Sequence, residues 1–169
     1  TSASPTDNET AVVAGKSIVL NFSEKVDAET GNVTIYRTSD SAVVEAVSVS
    51  GSQVTGSGTS TITVNPTSDL EWNTEYYVLI DATAFDDASS NSYAGISDTT
   101  ALSFTTAPTP DAPTALAGSL TGGAGEIALT WTAPSSNGGL AISDYVVEYS
   151  TDGTTWTTFS NGGSATASV

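Results

Sequence analysis

The sequence predicts an all-β protein made of two tandem β-sandwich modules. Three observations carry that prediction. Short segments rich in Val, Ile, Thr and Tyr place apolar residues at every second position, the period of a half-buried strand. Clusters of Gly, Asn, Asp and Ser divide those segments at the spacing of a sandwich. No segment carries a sustained apolar stripe of helical period.

The elements follow in chain order. Over residues 17–22, Ile18, Leu20 and Phe22 fall on one side and are expected to face a core, and Val33 with Ile35 repeats the pattern. Residues 43–49 read as a strand whose facing the alternation leaves open. Ile62 and Val64 come next, then Tyr76, Val78 and Ile80, then Leu102 and Phe104. That makes about seven strands before residue 107, a normal sandwich complement. Three of the six prolines then fall within residues 107–113. Proline fixes φ and cannot donate to a ladder, so this stretch reads as a short, stiff linker. Beyond it Ile127, Leu129 and Trp131 share a face, 134–139 is a turn cluster, and Tyr145, Val147 and Tyr149 alternate. Asp152-Gly153 then signals a hairpin before Trp156 and Phe159. The expected organisation is a first module over 1–107, a linker over 108–113 and a second module over 114–169.

Composition removes many functions. The 169 residues hold 3 Lys+Arg against 19 Asp+Glu, a net charge of -16, and no Cys, His or Met. Thiolate and imidazole chemistry, disulfides and the usual zinc sites are therefore absent. A charge of -16 repels phosphate backbones and anionic membranes. No apolar run reaches the roughly 18–20 residues of a membrane span. Residues 1–107 carry 14 acids and all 3 bases, whereas 108–169 carry 5 acids and no base. With 38% hydrophobic residues the chain has the material for a core, so the acidity does not signal disorder. The chain shows no initiator Met and no signal peptide, which reads as a mature form or a fragment of something longer.

Oxygen-ligand cation binding is the one chemistry well supplied. The best constellation is Asp81, Asp86, Asp87 and Asn91, with Asp98 downstream, in loops after the strand ending near Ile80. Ca²⁺ takes six to eight oxygen ligands of these types, while the same residues also cap Asx turns. A looser acidic group comprises Asp7, Glu9, Glu24, Asp27 and Glu29. Carboxylate pairs could serve a glycosidase, but acidity alone generates many such pairs. Sequons stand at Asn8, Asn21 and Asn32. Lys16 and Lys25 are the two lysines available to an isopeptide bond, and Thr61-Ile62-Thr63 is a single Thr-x-Thr element. Trp131 reads as core, leaving Trp72 and Trp156 as the aromatics available for sugar stacking.

The first segment resembles the bacterial Ig-like domain of S-layer proteins and large surface adhesins. The resemblance rests on Ser4-Pro5, on Ile18-Val19-Leu20-Asn21-Phe22-Ser23-Glu24, on Leu70 with Thr74 and Tyr76, on 87–91, and on Leu102-Ser103-Phe104-Thr105-Thr106. Ser90 stands where the family often has glycine. The second segment is similar to the first half of a fibronectin type III domain, through Ala112-Pro113-Thr114-Ala115-Leu116, Ile127-Ala128-Leu129-Thr130-Trp131 and Tyr145-Val146-Val147-Glu148-Tyr149-Ser150. The later strands of that domain are missing, so the second module is incomplete and its apolar face around Leu129, Trp131, Tyr145 and Val147 should be exposed. The resemblance implies non-catalytic spacer modules of an extracellular, cell-surface protein (adhesin, S-layer or filament), with Tyr76, Leu70 and Thr74 forming a tyrosine-corner-like closure. Its partners would be neighbouring modules or subunits of the same protein. Two alternatives stand beside this: a carbohydrate- or protein-binding accessory module of a secreted enzyme, and a fibre subunit completed by strands of a neighbouring chain. Calcium is the one cofactor considered.

Overall fold

Strand follows strand from Ser2 to Phe159, and the described residues contain no helix. The structure is a computed structural model that describes residues 1–121, 123 and 125–169. It divides into two compact units, Thr1–Pro108 and Thr109–Val169.

The first unit holds ten strands: β1 (Ser2–Ser4), β2 (Glu9–Val12), β3 (Ile18–Ala28), β4 (Asn32–Arg37), β5 (Ala42–Ser48), β6 (Val54–Thr55), β7 (Thr59–Val64), β8 (Glu75–Ile80), β9 (Phe85–Asp87) and β10 (Ser103–Thr106). One five-stranded sheet runs β1-β3-β7-β6 with β9 also on β3, and the other runs β2-β10-β8-β4-β5. Period-two alternation does the sorting. Ile18 and Leu20 on β3, Val33 and Ile35 on β4, Ile62 and Val64 on β7, Val78 and Ile80 on β8, and Leu102 and Phe104 at β10 are all buried. Each such side chain contributes roughly 1.5–3 kcal/mol of transfer free energy.

β3 organises its sheet. β7 lies along one edge, while β1 pairs with its first half at Val19–Asn21 and β9 with its second half at Val26–Ala28. The β3–β7 register shifts between Asn21 and Val26. Phe22 sits at that irregularity. Expected in the core, it is only half-buried and packs its ring on Phe85 at 5.4 Å and Tyr93 at 5.2 Å.

The segment 43–49 is settled by a bulge. Ile35 pairs with Glu45 but Tyr36 pairs with Val43, which leaves Val44 without a partner residue. The extra residue inverts the facing of the strand. Val47 and Val49 are therefore buried, while Val43 is 57% and Val44 44% exposed. Glu45 braces the edge where the sheets part: its carboxylate accepts from Gln53 Nε2 at 2.7 Å, Thr67 N at 2.9 Å and Thr67 Oγ1 at 2.6 Å. Burial pushes its pKa up, but the hydrogen bonds from Thr67 and Gln53 prevail and hold it below the usual value.

The second unit is built from β11 (Thr114–Leu120) paired with β12 (Ile127–Thr132) and, separately, β13 (Val147–Tyr149) paired with β14 (Thr157–Phe159). The free edge of β12 is taken by the end of the chain. Leu129 N donates to Val169 O at 2.7 Å, Val169 N to Leu129 O at 3.0 Å, and Trp131 N to Ala167 O at 3.1 Å. Two small sheets cannot cover each other. Leu116 (70%), Ile127 (60%), Val146 (75%) and Trp156 (60%) are exposed, and Trp131 is half-buried, edge-on to Tyr145 at 5.1 Å. Tyr145, expected within a strand, precedes β13. An open groove of about 480 Å³ lies among Leu116, Leu129, Trp131, Tyr145, Val147 and Trp156.

Candidate functional site

The structure separates the residues of the calcium constellation. Asp81 closes the turn after β8, its Oδ2 accepting from the main chain of Asn32 at 2.8 Å, with Asn32 Nδ2 at 3.5 Å. Asp86 lies on β9 as the cross-strand partner of Asp27, and its Oδ1 is buried with no hydrogen-bond partner among the described residues. Asp87 and Asn91 do come together. Asp87 Oδ1 accepts from Ser89 N and Asn91 N, both at 2.8 Å, and Oδ2 accepts from Asn91 Nδ2 at 2.8 Å. This is an Asx turn, and these bonds, that from the Asn91 side chain foremost, lower the Asp87 pKa. Ser90 adopts a φ of 61°, the left-handed conformation for which the family's glycine is suited. Asp98 forms a separate turn, accepting from Thr100 N at 2.9 Å and Thr100 Oγ1 at 2.8 Å. Among the described residues no group of three or more acidic, His or Cys side chains is gathered to hold a metal ion.

The looser acidic group is likewise dispersed. Asp7 accepts from Ser103 N at 2.9 Å, and Glu9 accepts from Thr6 N at 2.7 Å. Asp27 takes a 3.4 Å contact from Ser57 Oγ, while Glu24 and Glu29 are exposed. Of the sequons, Asn8 and Asn21 are exposed and Asn32 is half-buried. Lys16 and Lys25 are exposed, and the ion pairs among the described residues are those of Arg37. Trp72 stands 47% exposed.

What the structure does assemble is a closure at the carboxyl end of the first unit. β8 turns Tyr76 inward until it is 1% exposed, and its hydroxyl accepts from Glu71 N at 2.9 Å. This is the expected tyrosine corner, with Leu70 buried beside the bend. Thr106 completes it, a residue whose part the sequence does not reveal. Fully buried, its Oγ1 donates to Glu71 O at 2.6 Å and accepts from Thr74 N at 3.0 Å. Outside, Arg37 bonds Glu71 at 2.9 Å and Asp40 at 3.1 Å. The Asp40 carboxylate is the largest influence raising the Arg37 pKa, and Arg37 lowers that of Asp40. The bend is thus tied to β10, the last strand before Pro108. Asn73 N donates to Ala107 O at 3.0 Å and Ala107 N to Val12 O at 2.8 Å. This arrangement holds the bend, β8 and β10 together.

Comparison with known proteins yields little on activity. No curated protein matches the chain. A crystal structure of domains A168–A170 from titin is similar at 24% identity and a TM-score of 0.38, over 96% of this chain and 49% of that one. The chain thus spans about half the length of that structure. The family model of the bacterial Ig-like domain matches residues 1–106, the whole of the two-sheet unit with its corner, and the chain belongs to that family.

Proposed function

We propose that the chain is a non-catalytic, load-bearing spacer of an extracellular bacterial surface protein, an adhesin, S-layer or filament protein. One observation carries the reading. β2, near the amino end of the first unit, and β10, at its carboxyl end, are paired in parallel. Pulling the two ends of such a unit apart loads the parallel ladder in shear, so that its bonds resist together rather than opening one at a time. Asn8 N to Ser103 O at 2.8 Å and Ala107 N to Val12 O at 2.8 Å bracket that ladder, and the tyrosine corner anchors its carboxyl end. Bacterial Ig-like domains are typical of surface and extracellular proteins, which supports the location. The partners on this reading are neighbouring modules of the same protein. Stretching the full chain between its ends in a force spectrometer tests the role. The larger unit should give a distinct force peak, and Ala107→Pro, which removes the donor to Val12, should lower it. A peak unchanged by that substitution, or extension without a resistant peak, would overturn the shear reading.

A further inference from the structure

The sequence contains two Asn-Gly pairs, Asn137-Gly138 and Asn161-Gly162, both in the second unit. In such a pair no Cβ obstructs the main-chain nitrogen of the glycine as it swings onto the side-chain carbonyl carbon of the asparagine. Asn161 occupies a structural position where this reaction has a consequence. Its Nδ2 donates to Tyr145 O at 2.7 Å and lies 3.3 Å from Asp144 Oδ1. The same Asp144 oxygen accepts from Ser164 N at 2.8 Å and Tyr145 N at 2.8 Å, and Tyr145 N also reaches Ser164 O at 3.3 Å. These contacts form a clasp. It ties the segment leading into β13 to the segment that leads on to Ala167–Val169, the residues seated on β12.

We propose that Asn161 is a site of spontaneous deamidation, and that its conversion to aspartate or isoaspartate opens the clasp. In the first step the Gly162 main-chain nitrogen bonds to Asn161 Cγ. The Cγ–Nδ2 bond breaks, and ammonia leaves with the proton from that nitrogen. Water then adds to either carbonyl of the resulting succinimide and opens it. The backbone has room for this. Gly162 and Gly163 are exposed, and nothing lies within 4 Å of where a Cβ would stand on either. At Asn137 the side chain is exposed but Gly138 is buried and its nitrogen faces Ser136 Oγ at 3.3 Å. After conversion at Asn161, a donor becomes an acceptor carrying negative charge. It then faces a carbonyl and a carboxylate that it formerly bonded. A half-buried donor replaced in this way loses a hydrogen bond and gains repulsion.

Two measurements on the full chain test this. The first is ageing at neutral pH and 37 °C, followed by mapping with a protease that cuts at aspartate, because the second unit offers trypsin no site. A mass gain of about one unit should accumulate at Asn161 several-fold faster than at Asn137. Equal rates, or no conversion at Asn161 under conditions that convert a urea-unfolded chain, overturn the site. The second is hydrogen exchange on Asn161→Asp against Asn137→Asp. The former should speed exchange at the Ser164, Leu129 and Trp131 amides, and the latter should leave them unchanged. Unchanged protection in Asn161→Asp overturns the clasp.

Discussion

The same alternation of apolar and polar residues yields opposite outcomes in the two units. Leu20 and Leu129 each sit on a strand with apolar neighbours two residues away, yet Leu20 is fully buried and Leu129 is not. The difference lies in what opposes them. Leu20 faces a second five-stranded sheet, while Leu129 has beside it only the two-stranded sheet of β13 and β14, whose strands span three residues each. Alternation specifies a strand and its two faces; burial needs a second layer, which alternation does not supply. Truncating a large side chain in each unit should expose the contrast most sharply. Phe85→Ala empties a site that is fully buried, and should cost about 3–5 kcal/mol. Trp156→Ala removes a side chain that is 60% exposed, and should change stability by about 0.5 kcal/mol or less. Urea denaturation of the full chain measures both, and similar costs would break the contrast.

The corner gives the next effect in size. Tyr76→Phe keeps the ring beside Phe104, 5.9 Å away, and leaves the Glu71 amide without its acceptor. A loss of about 1–2 kcal/mol is expected by thermal denaturation. The second unit has an unmatched polar atom too, since Trp131 Nε1 is buried without a hydrogen-bond partner among the described residues. Trp131→Phe should therefore lose less than Tyr76→Phe. The reverse order would mean that the second unit is the better satisfied of the two.

The regular strands of the first unit were legible because four to eight alternating residues suffice to mark a buried face. Ile18, Leu20, Val33, Ile35, Ile62, Val64, Val78 and Phe104 all lie where that pattern places them. The short strands β1, β6 and β9 were not, because two or three residues cannot display a period, and β2 was not, because its two apolar residues, Ala11 and Val12, are adjacent rather than alternating. The facing of β5 was illegible for another reason: a bulge at Val44 changes the parity mid-strand, and no residue type announces it. Tyr76 was readable through a resemblance and Thr106 was not, because a buried threonine in a strand looks like any other strand threonine until its hydroxyl is seen to cap a bend. The acidic residues were legible as a set but not as a site. Sequence proximity gathers Asp81, Asp86, Asp87, Asn91 and Asp98, but the turns direct the carboxylates of Asp81, Asp87 and Asp98 to separate main-chain amides, with Asn91 bonded to Asp87.

Acidification should act through those local bonds in both units. Glu45, Asp40, Asp87 and Asp98 in the first unit and Asp152 in the second all have folded pKa values below their ordinary ones. For Asp152 the main-chain amide of Thr155 is the largest cause. A depressed carboxylate binds its proton later than its unfolded counterpart does, so the stability it gives is complete above the unfolded pKa and is lost as pH falls through the folded one. Melting temperature should therefore hold above about pH 5 and decline below about pH 4. Glu45→Gln should make that decline shallower. An unchanged slope in the variant would remove Glu45 from the account.

The smallest expected effect concerns calcium. Asp87 in the first unit and Asp152 in the second use their carboxylates alike. Asp87 Oδ1 accepts two main-chain amides at 2.8 Å, and Asp152 Oδ1 accepts those of Thr154 at 2.8 Å and Thr155 at 2.7 Å. A cation at either place would compete with amides already in position. An extracellular calcium module with a dissociation constant near 1 mM would gain about 1.4 kcal/mol at 10 mM calcium, enough to raise a melting temperature by several degrees. We expect neither unit to shift at that concentration. A shift confined to the first unit and abolished by Asp87→Asn would show that the Asp87 turn rearranges around the ion. The likeness of the two turns would then end at their hydrogen bonds.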